Sequence, residues 1–320
     1  MKCLMRLANA ALAVLVVTTA LAQYPVRPIQ LLVPISPGGA PDIAARVLGE
    51  KLSQALAQPV VVENRPGSNG NIAMEAVARA APDGYTLMLC ADSQIVINPH
   101  LYPKMRIDPL KDLVPVATVA SNGFVLAVNP SLPVKNFQEF IEYARHANPP
   151  LAYASAGNGS QHHLTMEMLK ARTGIDLLHV AYKGGAPATT AAVAGEVAAV
   201  FAGTSIAPQI KAGRLRALAV TGKKRSAEFP DLPTIGEFYP GWSNSIWLGL
   251  VAPAGTPEPI LTKLRTEVNK LLALPDIKEK FSHAGGLEPY ITTPKEFDAL
   301  IRADYAKFGK LVKDVGATVD

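Results

Sequence analysis

The chain has 320 residues, 49% of them hydrophobic, and a formal net charge of +5. Lysine and arginine are scattered along it apart from the short run 223–225, and aromatic residues do not alternate with them. A nucleic-acid-binding surface has a denser basic patch than this, so we expect no nucleic-acid partner. The length is sufficient for two domains of ordinary size, each with its own hydrophobic core.

The first 22 residues have the pattern of an export signal. Lys2 and Arg6 precede a largely apolar run that ends in small residues at Ala22, as signal peptidase requires. The apolar run is too short to predict a membrane-spanning helix. We therefore expect cleavage between Ala22 and Gln23, and a mature protein in the periplasm.

The remaining sequence alternates strand and helix patterns, which predicts α/β layers with mainly parallel sheets. In chain order we predict strands at 29–34, 60–64 and 85–90 and helices at 41–58 and 70–80, then helices at 136–147, 161–173, 187–194 and 205–212 alternating with strands at 151–155, 177–182, 197–203 and 215–221. Beyond residue 253 the pattern predicts only helices, and the last of them begins at a capping box formed by Thr293 and Glu296.

Two long, apolar, extended segments interrupt the alternation, at 113–130 and 246–253. They flank a self-contained α/β block, which suggests that the chain passes from one lobe to another and back. We predict a first lobe of residues 23–124 plus 251–320 and a second lobe of residues 125–250. Two α/β lobes joined by two crossing strands form a hinged protein that can close around a ligand.

Six loops follow predicted strands, three in each lobe, where an open sheet places its ligand site. Glycine lets the backbone approach a ligand closely, and the free N–H groups at a helix start favour an anion. One such loop is a weak signal, whereas six in two lobes predict a cleft lined by backbone and hydroxyl donors. The loops are "SPGGAPD" (36–42), "RPGSNGN" (65–71), "ADSQ" (91–94), "SAGNGSQHH" (155–163), "YKGGAPA" (182–188) and "GTSIAP" (203–208).

The alternatives to binding are less well supported by the sequence. The chain has neither the G-x-S-x-G pentapeptide of α/β-hydrolases nor a P-loop. Ser160 lies near His162 and His163, which keeps a hydrolase as an alternative, although adjacent positions at a helix start do not form a triad. His163 and Glu167 are four residues apart but belong to no cysteine and histidine cluster, so we expect no metal site and no cofactor.

The loops and their flanking segments match a known family in order along the mature chain. "PGGAPDIAAR" resembles the P-G-G-x-x-D-x-x-A-R signature of the Bug-type extracytoplasmic solute receptors, which serve tripartite tricarboxylate transporters. The agreement continues through "VVVENRPGSNGNIA", "ARAAPDGYTLMLC", "ASAGNGSQHHL", "HVAYKGGAPA", "GRLRALAVTGKKRS" and "WLGLVAPAGTP". The sequence departs from the family at Pro41, where a small hydroxyl residue is frequent.

The resemblance implies a type II periplasmic-binding-protein fold, α/β and two-lobed, that closes on a small carboxylate. Such receptors hold their ligands largely through main-chain N–H groups and ordered waters. Asp42 either meets an amine-bearing ligand or orders its own loop, and Lys183 either pairs with a carboxylate or lies at the rim. The candidate residues of the first lobe are Ser36, Gly38, Gly39, Ala40, Asp42, Ser68, Asn69 and Ser93, and those of the second are Gly159, Ser160, Gln161, Tyr182, Lys183, Gly184, Thr204 and Ser205.

The sequence thus predicts a non-catalytic periplasmic receptor that acts as a monomer. It would bind a small organic acid and deliver it to the membrane components of a tripartite tricarboxylate transporter. Two other functions stay open: a periplasmic hydrolase that uses Ser160 with His162 or His163, and a ligand sensor that delivers nothing.

Overall fold

A computed structural model describes residues 24–283 and 286–318 of the chain. The predicted export signal at 1–22 lies outside these residues. Within them, no helix combines the length and the apolar character that crossing a membrane requires.

Strands and helices alternate along the chain. The strands are β1 (Ile29–Val33), β2 (Val60–Asn64), β3 (Thr86–Ala91), β4 (Leu113–Gly123), β5 (Val125–Val128), β6 (Leu151–Ser155), β7 (Leu177–Ala181), β8 (Ala199–Ala202), β9 (Arg216–Val220), β10 (Ser245–Pro253) and β11 (Glu288–Pro289). The α-helices are α1 (Ala40–Leu56), α2 (Asn71–Ala78), α3 (Asp92–Val96), α4 (Asn98–Leu101), α5 (Pro109–Asp112), α6 (Phe137–His146), α7 (Gln161–Thr173), α8 (Gly185–Ala194), α9 (Ala207–Lys211), α10 (Ile235–Phe238), α11 (Glu258–Leu272), α12 (Pro275–His283) and α13 (Pro294–Asp314).

The strands form two sheets, one for each lobe. The first has the order β11-β4-β10-β3-β1-β2 and the second the order β7-β6-β8-β5-β9. The chain passes from the first sheet to the second between β4 and β5, and it returns to the first sheet in β10. The predicted α/β, two-lobed fold with two crossing strands is therefore confirmed.

Two expectations about the sheets were wrong. The sheets are mixed rather than mainly parallel, because β10 runs antiparallel to both β3 and β4, and β5 runs antiparallel to β8 and β9. A strand that carries the chain back across the hinge enters its sheet from the opposite end, so it must run against its neighbours. The segment after β10 also contains β11, whose two residues pair with β4.

Each sheet is covered by helices on both faces, which buries its apolar strands. In the first lobe, α1, α11 and α12 bury one face, and α2 and α13 bury the other. Leu164, on α7 of the second lobe, is completely buried in the apolar cluster under α2 and α13, which also contains Trp247 and Phe297. Burying such a side chain contributes about 1.5–3 kcal/mol, so Leu164 stabilises the contact between the lobes.

The predicted capping box at the start of α13 is present. The Thr293 hydroxyl accepts from the Glu296 N–H at 3.2 Å, and the Glu296 carboxylate accepts from the Thr293 N–H at 2.8 Å. We expect Thr293→Ala to lower the free energy of unfolding by about 1 kcal/mol, since it leaves a helix N–H group without its partner. Urea unfolding measures this change, and the exposed neighbour substitution Lys295→Ala should stay within about 0.5 kcal/mol of the wild type. Equal effects of the two substitutions would contradict a stabilising cap.

Candidate functional site

The loop before α1 is organised by a buried carboxylate. Asp42 is 3% exposed and accepts from the Gly38 N–H at 2.9 Å. Its other partners are Arg46, at 3.1 Å, and the Asn64 amide, at 2.8 Å. Gly38 has a φ of +92°, which glycine adopts without strain. The carboxylate therefore fixes the glycine-rich turn from its inner side.

The start of α1 leaves its backbone donors without a side-chain cap. Gly39 is the N-cap residue and can offer no capping oxygen. Burial alone would raise the pKa of Asp42, but hydrogen bonds from Arg46, the Gly38 N–H and Asn64 outweigh it and hold that pKa below its usual value. Because these protein groups occupy both oxygens of Asp42, its contacts favour ordering the loop over meeting a ligand amine.

The second and third loops of the first lobe are joined by amide side chains. The Asn69 side chain donates to Asn98 at 2.7 Å, and the Asn69 carbonyl accepts from Gln94 at 3.2 Å. The Gln94 amide also donates to the Ser93 hydroxyl. Asn69 and Ser68 both have a positive φ, which holds this turn in a left-handed conformation. The predicted residues Asn69 and Ser93 thus both bond to Gln94, and Ser68 lies beside Asn69 in the same turn.

In the second lobe, Ser160 is the N-cap of α7. Its hydroxyl accepts from the His163 backbone N–H at 3.3 Å, and the Gly159 N–H donates to the His163 ring at 3.0 Å. The His163 ring also stacks on His179 with a centroid distance of 4.0 Å. These contacts use the hydroxyl and the ring to shape the loop.

Neither neighbouring histidine is arranged as a strong base. Burial lowers the pKa of both His162 and His163 to about 4. The rings of His162 and Phe124 lie 4.6 Å apart, and Glu167 accepts from the Tyr153 hydroxyl and from Lys170. Among residues 24–283 and 286–318, no three metal-binding side chains converge on a common point.

The remaining predicted residues of the second lobe lie at the start of α8 and after β8. The Tyr182 hydroxyl donates to Glu196 at 3.1 Å, and Lys183 is exposed. Gly184 is the N-cap of α8, with φ +117° and ψ +168°. Thr204 is buried and Ser205 is exposed, both in the short turn that follows β8.

The two lobes meet directly at two of the predicted loops. The Gln161 amide donates to Asp92 at 2.8 Å, which connects the start of α7 with the start of α3. Thr204 packs against Gly286, so closely that a Cβ on Gly286 would clash with it. Hydrogen bonds to Gln94 therefore place Asn69 and Ser93 together, and Gln161 meets the same lobe edge at Asp92. The loop at 36–42 is connected to its own lobe, through Asn64.

Several residues that support the site were not selected from the sequence. Asn64 ends β2, Asp92 begins α3, and Asn98 is completely buried beneath the Asn69 turn. Asp92 lies in the predicted loop 91–94, but the sequence predicted its neighbour Ser93 as the site residue. A polar residue at the end of an apolar strand was the signal available for Asn64, and one directly after such a strand was the signal for Asp92.

A cavity of about 730 Å³ lies beside the hinge rather than along these loops. Of the sixteen predicted site residues only Thr204 lines it, together with parts of β4, β10 and α13. Two of its polar side chains bond within the protein: Lys307 donates to Asn244 at 2.9 Å, and Asp304 accepts from the Trp247 indole at 2.9 Å. The cavity therefore lies at the hinge, apart from the loops that the sequence predicted.

Two α/β lobes joined by crossing strands, with glycine-rich loops at facing sheet edges, define the class of two-lobed solute-binding proteins. A family model described as "Tripartite tricarboxylate transporter family receptor" matches residues 44–317. The chain belongs to this receptor family, which confirms the resemblance noted from its motifs. Protein BugT of Bordetella pertussis strain Tohama I is 37% identical over 297 residues, which cover 92% of this chain and 91% of BugT.

Solved structures of family members superpose along almost the whole chain. Rpa4515 of R. palustris, determined with adipate, has a TM-score of 0.81 and 35% identity, covering 92% of this chain and 100% of its own. MatC from Rhodopseudomonas palustris, determined with bound malate, has a TM-score of 0.74 and 30% identity, covering 90% of this chain and 100% of its own. Both molecules in these structures are dicarboxylates.

Proposed function

We propose that this protein is a non-catalytic periplasmic receptor that captures a small carboxylate between its lobes and delivers it to the membrane components of a tripartite transporter. The observation that carries the proposal is the turn at Gly38–Gly39, which Asp42 fixes from inside while the start of α1 is left without a side-chain cap. Oriented N–H groups at a helix start bind anions. Adipate and malate in the two related structures support a dicarboxylate as the ligand.

The two lobes divide the binding task in this proposal. The first lobe presents the N–H groups of Gly39 and Ala40 and the amide-linked turn of Asn69. The second lobe closes with Ser160, Gln161 and the Gly184 turn. A ligand that contacts both lobes shifts the population towards the closed form, which the transporter then recognises. Binding through neutral dipoles leaves the protein able to release its cargo. We propose that it works as a monomer, since the cleft is built from one chain.

A thermal-shift screen against mono-, di- and tricarboxylates tests the proposal. A dicarboxylate should raise the melting temperature, and calorimetry should then give one site for each chain. The same mixtures, followed by chromatography for several hours, should contain unchanged ligand. Turnover of the ligand, or the absence of a thermal shift with every carboxylate, would contradict the proposal.

Substitutions at Ser160 separate the receptor from a hydrolase. Ser160→Ala should lower the free energy of unfolding by about 1 kcal/mol, whereas Ser160→Gly should lower it by only a few tenths, because glycine is a tolerated N-cap. Both remove the hydroxyl that a hydrolase would need. Chemical denaturation should show this graded loss, and neither variant should change turnover in the assay above. A hydrolytic activity that both variants abolish equally would establish the alternative.

Delivery and sensing differ in what happens to the ligand. A delivering receptor supports uptake of labelled dicarboxylate by cells, and its deletion abolishes that uptake. A sensor changes gene expression and leaves uptake intact. We expect the first result, because the family model is that of a transporter receptor.

A further inference from the structure

Two oxygen atoms at the contact between the lobes lack hydrogen-bond partners in the part of the chain that the structure describes. Asp92 and Gln161 are 0% and 7% exposed, and the Gln161 Nε2 donates to the Asp92 Oδ2 at 2.8 Å. The other oxygen of each group, Asp92 Oδ1 and Gln161 Oε1, is buried without a partner among the described residues. Buried polar atoms in this state are uncommon, because each one loses its hydrogen bonds to water and gains none in return.

A proton would satisfy both atoms at once. An ionised carboxylate only accepts hydrogen bonds, so Oδ1 and Oε1 would be two acceptors on groups that already face each other. A carboxylic acid carries one O–H donor and one carbonyl acceptor, and a primary amide carries an N–H donor and a carbonyl acceptor. The donor of each group can therefore face the acceptor of the other. With the proton on Oδ1, the two groups can form a cyclic pair of hydrogen bonds in which neither oxygen is left over.

The surroundings of Asp92 favour its neutral form. Burial raises the pKa of this carboxyl to about 7, and the negative charge of Asp304 on α13 adds to the effect. The other titratable groups that face it are Lys307 on α13 and Cys90 on β3. Lys307 is itself partly buried, which lowers its pKa, and its Nζ donates to Asn244.

Uncharged groups complete the surroundings of Asp92. Gln161 faces it from α7, and the nearby backbone N–H groups of Ser93 and Trp247 lower its pKa by less than burial raises it. Since the loops of Ser93 and Gln161 both belong to the proposed ligand site, a change at Asp92 acts on both sides of that site.

The contact continues into the hinge through buried side chains. The backbone carbonyl of Gln161 accepts from the Thr165 hydroxyl, which in turn accepts from the Asn244 side-chain amide at 2.7 Å. Asn244 immediately precedes β10, the strand that crosses back to the first lobe, and its Oδ1 accepts from Lys307. Thr165 is 0% exposed and Asn244 is 2% exposed. The pair at Asp92 is thus one end of a buried polar path from α3 through α7 to the hinge.

We propose that Asp92 is a positioning residue that takes up a proton when the lobes meet, pairs as a neutral acid with Gln161 and so couples ligand capture to pH. The coupling to capture rests on the proposed function, whereas the protonation of Asp92 does not. A carboxyl in water has a pKa near 3.9, so separating the lobes releases the proton above that pH. The neutral pair therefore stabilises the closed lobes most below about pH 4. This contribution falls as the pH rises towards 7 and levels off above it.

The proton on Asp92 is measured first, in the protein saturated with adipate. The ¹³C chemical shift of the assigned Asp92 carboxyl should titrate near pH 7 there, and a titration below pH 5 would overturn the proposal. Adipate that binds without this titration would overturn this proposal alone, whereas failure of every carboxylate to bind would reject the proposed function.

The coupling is then measured with adipate as the probe. One pKa unit corresponds to a tenfold change, so wild-type affinity should fall about tenfold from pH 6 to pH 8. In Asp92→Asn the amide copies the neutral acid, so affinity should stay within about twofold over this range. The control Asp298→Asn, on the exposed face of α13, should keep the wild-type pH profile. A wild-type profile in Asp92→Asn, or loss of adipate binding at pH 6 in that variant while it remains folded, would overturn the proposal.

Discussion

Replacing Asp42 with alanine is expected to weaken dicarboxylate binding by at least about tenfold and to lower the free energy of unfolding by about 2–4 kcal/mol. The carboxylate holds the Gly38 N–H, Arg46 and Asn64 in one arrangement while being 3% exposed itself. Without it, Asn64 loses a buried partner and the turn before α1 loses its internal support. Calorimetry with a dicarboxylate and urea unfolding give the two quantities.

The effect of Asp42 also depends on pH. Because its pKa is held below the usual value in the folded protein, its contribution is present above about pH 4 and is lost as the pH falls through the folded-state pKa. The wild type and Asp42→Ala should therefore approach each other in stability in acid. Asp298→Ala serves as the control, because its exposed pair with Arg302 contributes less than about 1 kcal/mol. Wild-type affinity in Asp42→Ala would show that the turn at 38–40 does not hold the ligand.

Replacing Gly184 with alanine is expected to weaken dicarboxylate binding by about ten- to a hundredfold, as a strain of about 1–3 kcal/mol displaces the turn. Its φ of +117° and ψ of +168° are accessible to glycine alone, although a Cβ would have room. The cost therefore comes from the backbone, and the start of α8 has to move to relieve it. Calorimetry of the variant against the wild type measures the loss of affinity.

Gly174→Ala is the matched control for this substitution. Gly174 also has a positive φ, +72°, and open space around its Cα, but it follows α7 at the end away from the predicted loops. Alanine there should cost about 1–2 kcal/mol of stability and leave the affinity unchanged. If the two glycine variants bound ligand equally well, the second lobe would not contribute its Gly184 turn to the site.

The sequence predicted most of the strands and helices because their apolar periodicities are long and regular. The strands 60–64 and 151–155 and the helix 161–173 have the predicted bounds. The direction of β10 was not predictable in the same way, since an apolar run has the same pattern in a parallel and an antiparallel pair. The short strand β11 has only two residues, too few for any periodicity.

The site shows a similar division. Glycine, serine and asparagine after apolar strands identified the loops, because a turn into a helix restricts which residues fit there. The partners within the site were not predictable from such local patterns. Asp92 and Gln161 are separated by 69 residues, and Asp42 and Asn64 by 22, and only the packing of the sheets brings them into contact. Asn98 was missed because its role, the support of the Asn69 turn, depends on burial.

The central claim is that a carboxylate lies between the lobes, held by the backbone N–H groups of Gly39 and Ala40. A crystal structure of the protein with the dicarboxylate that gives the largest thermal shift tests it most directly. We predict one carboxylate of the ligand within hydrogen-bond distance of the N–H groups of Gly39 or Ala40, with the loop of Ser160 or Gly184 closing on its other end. A ligand bound in the hinge cavity beside Lys307, or on one lobe alone, would contradict the claim.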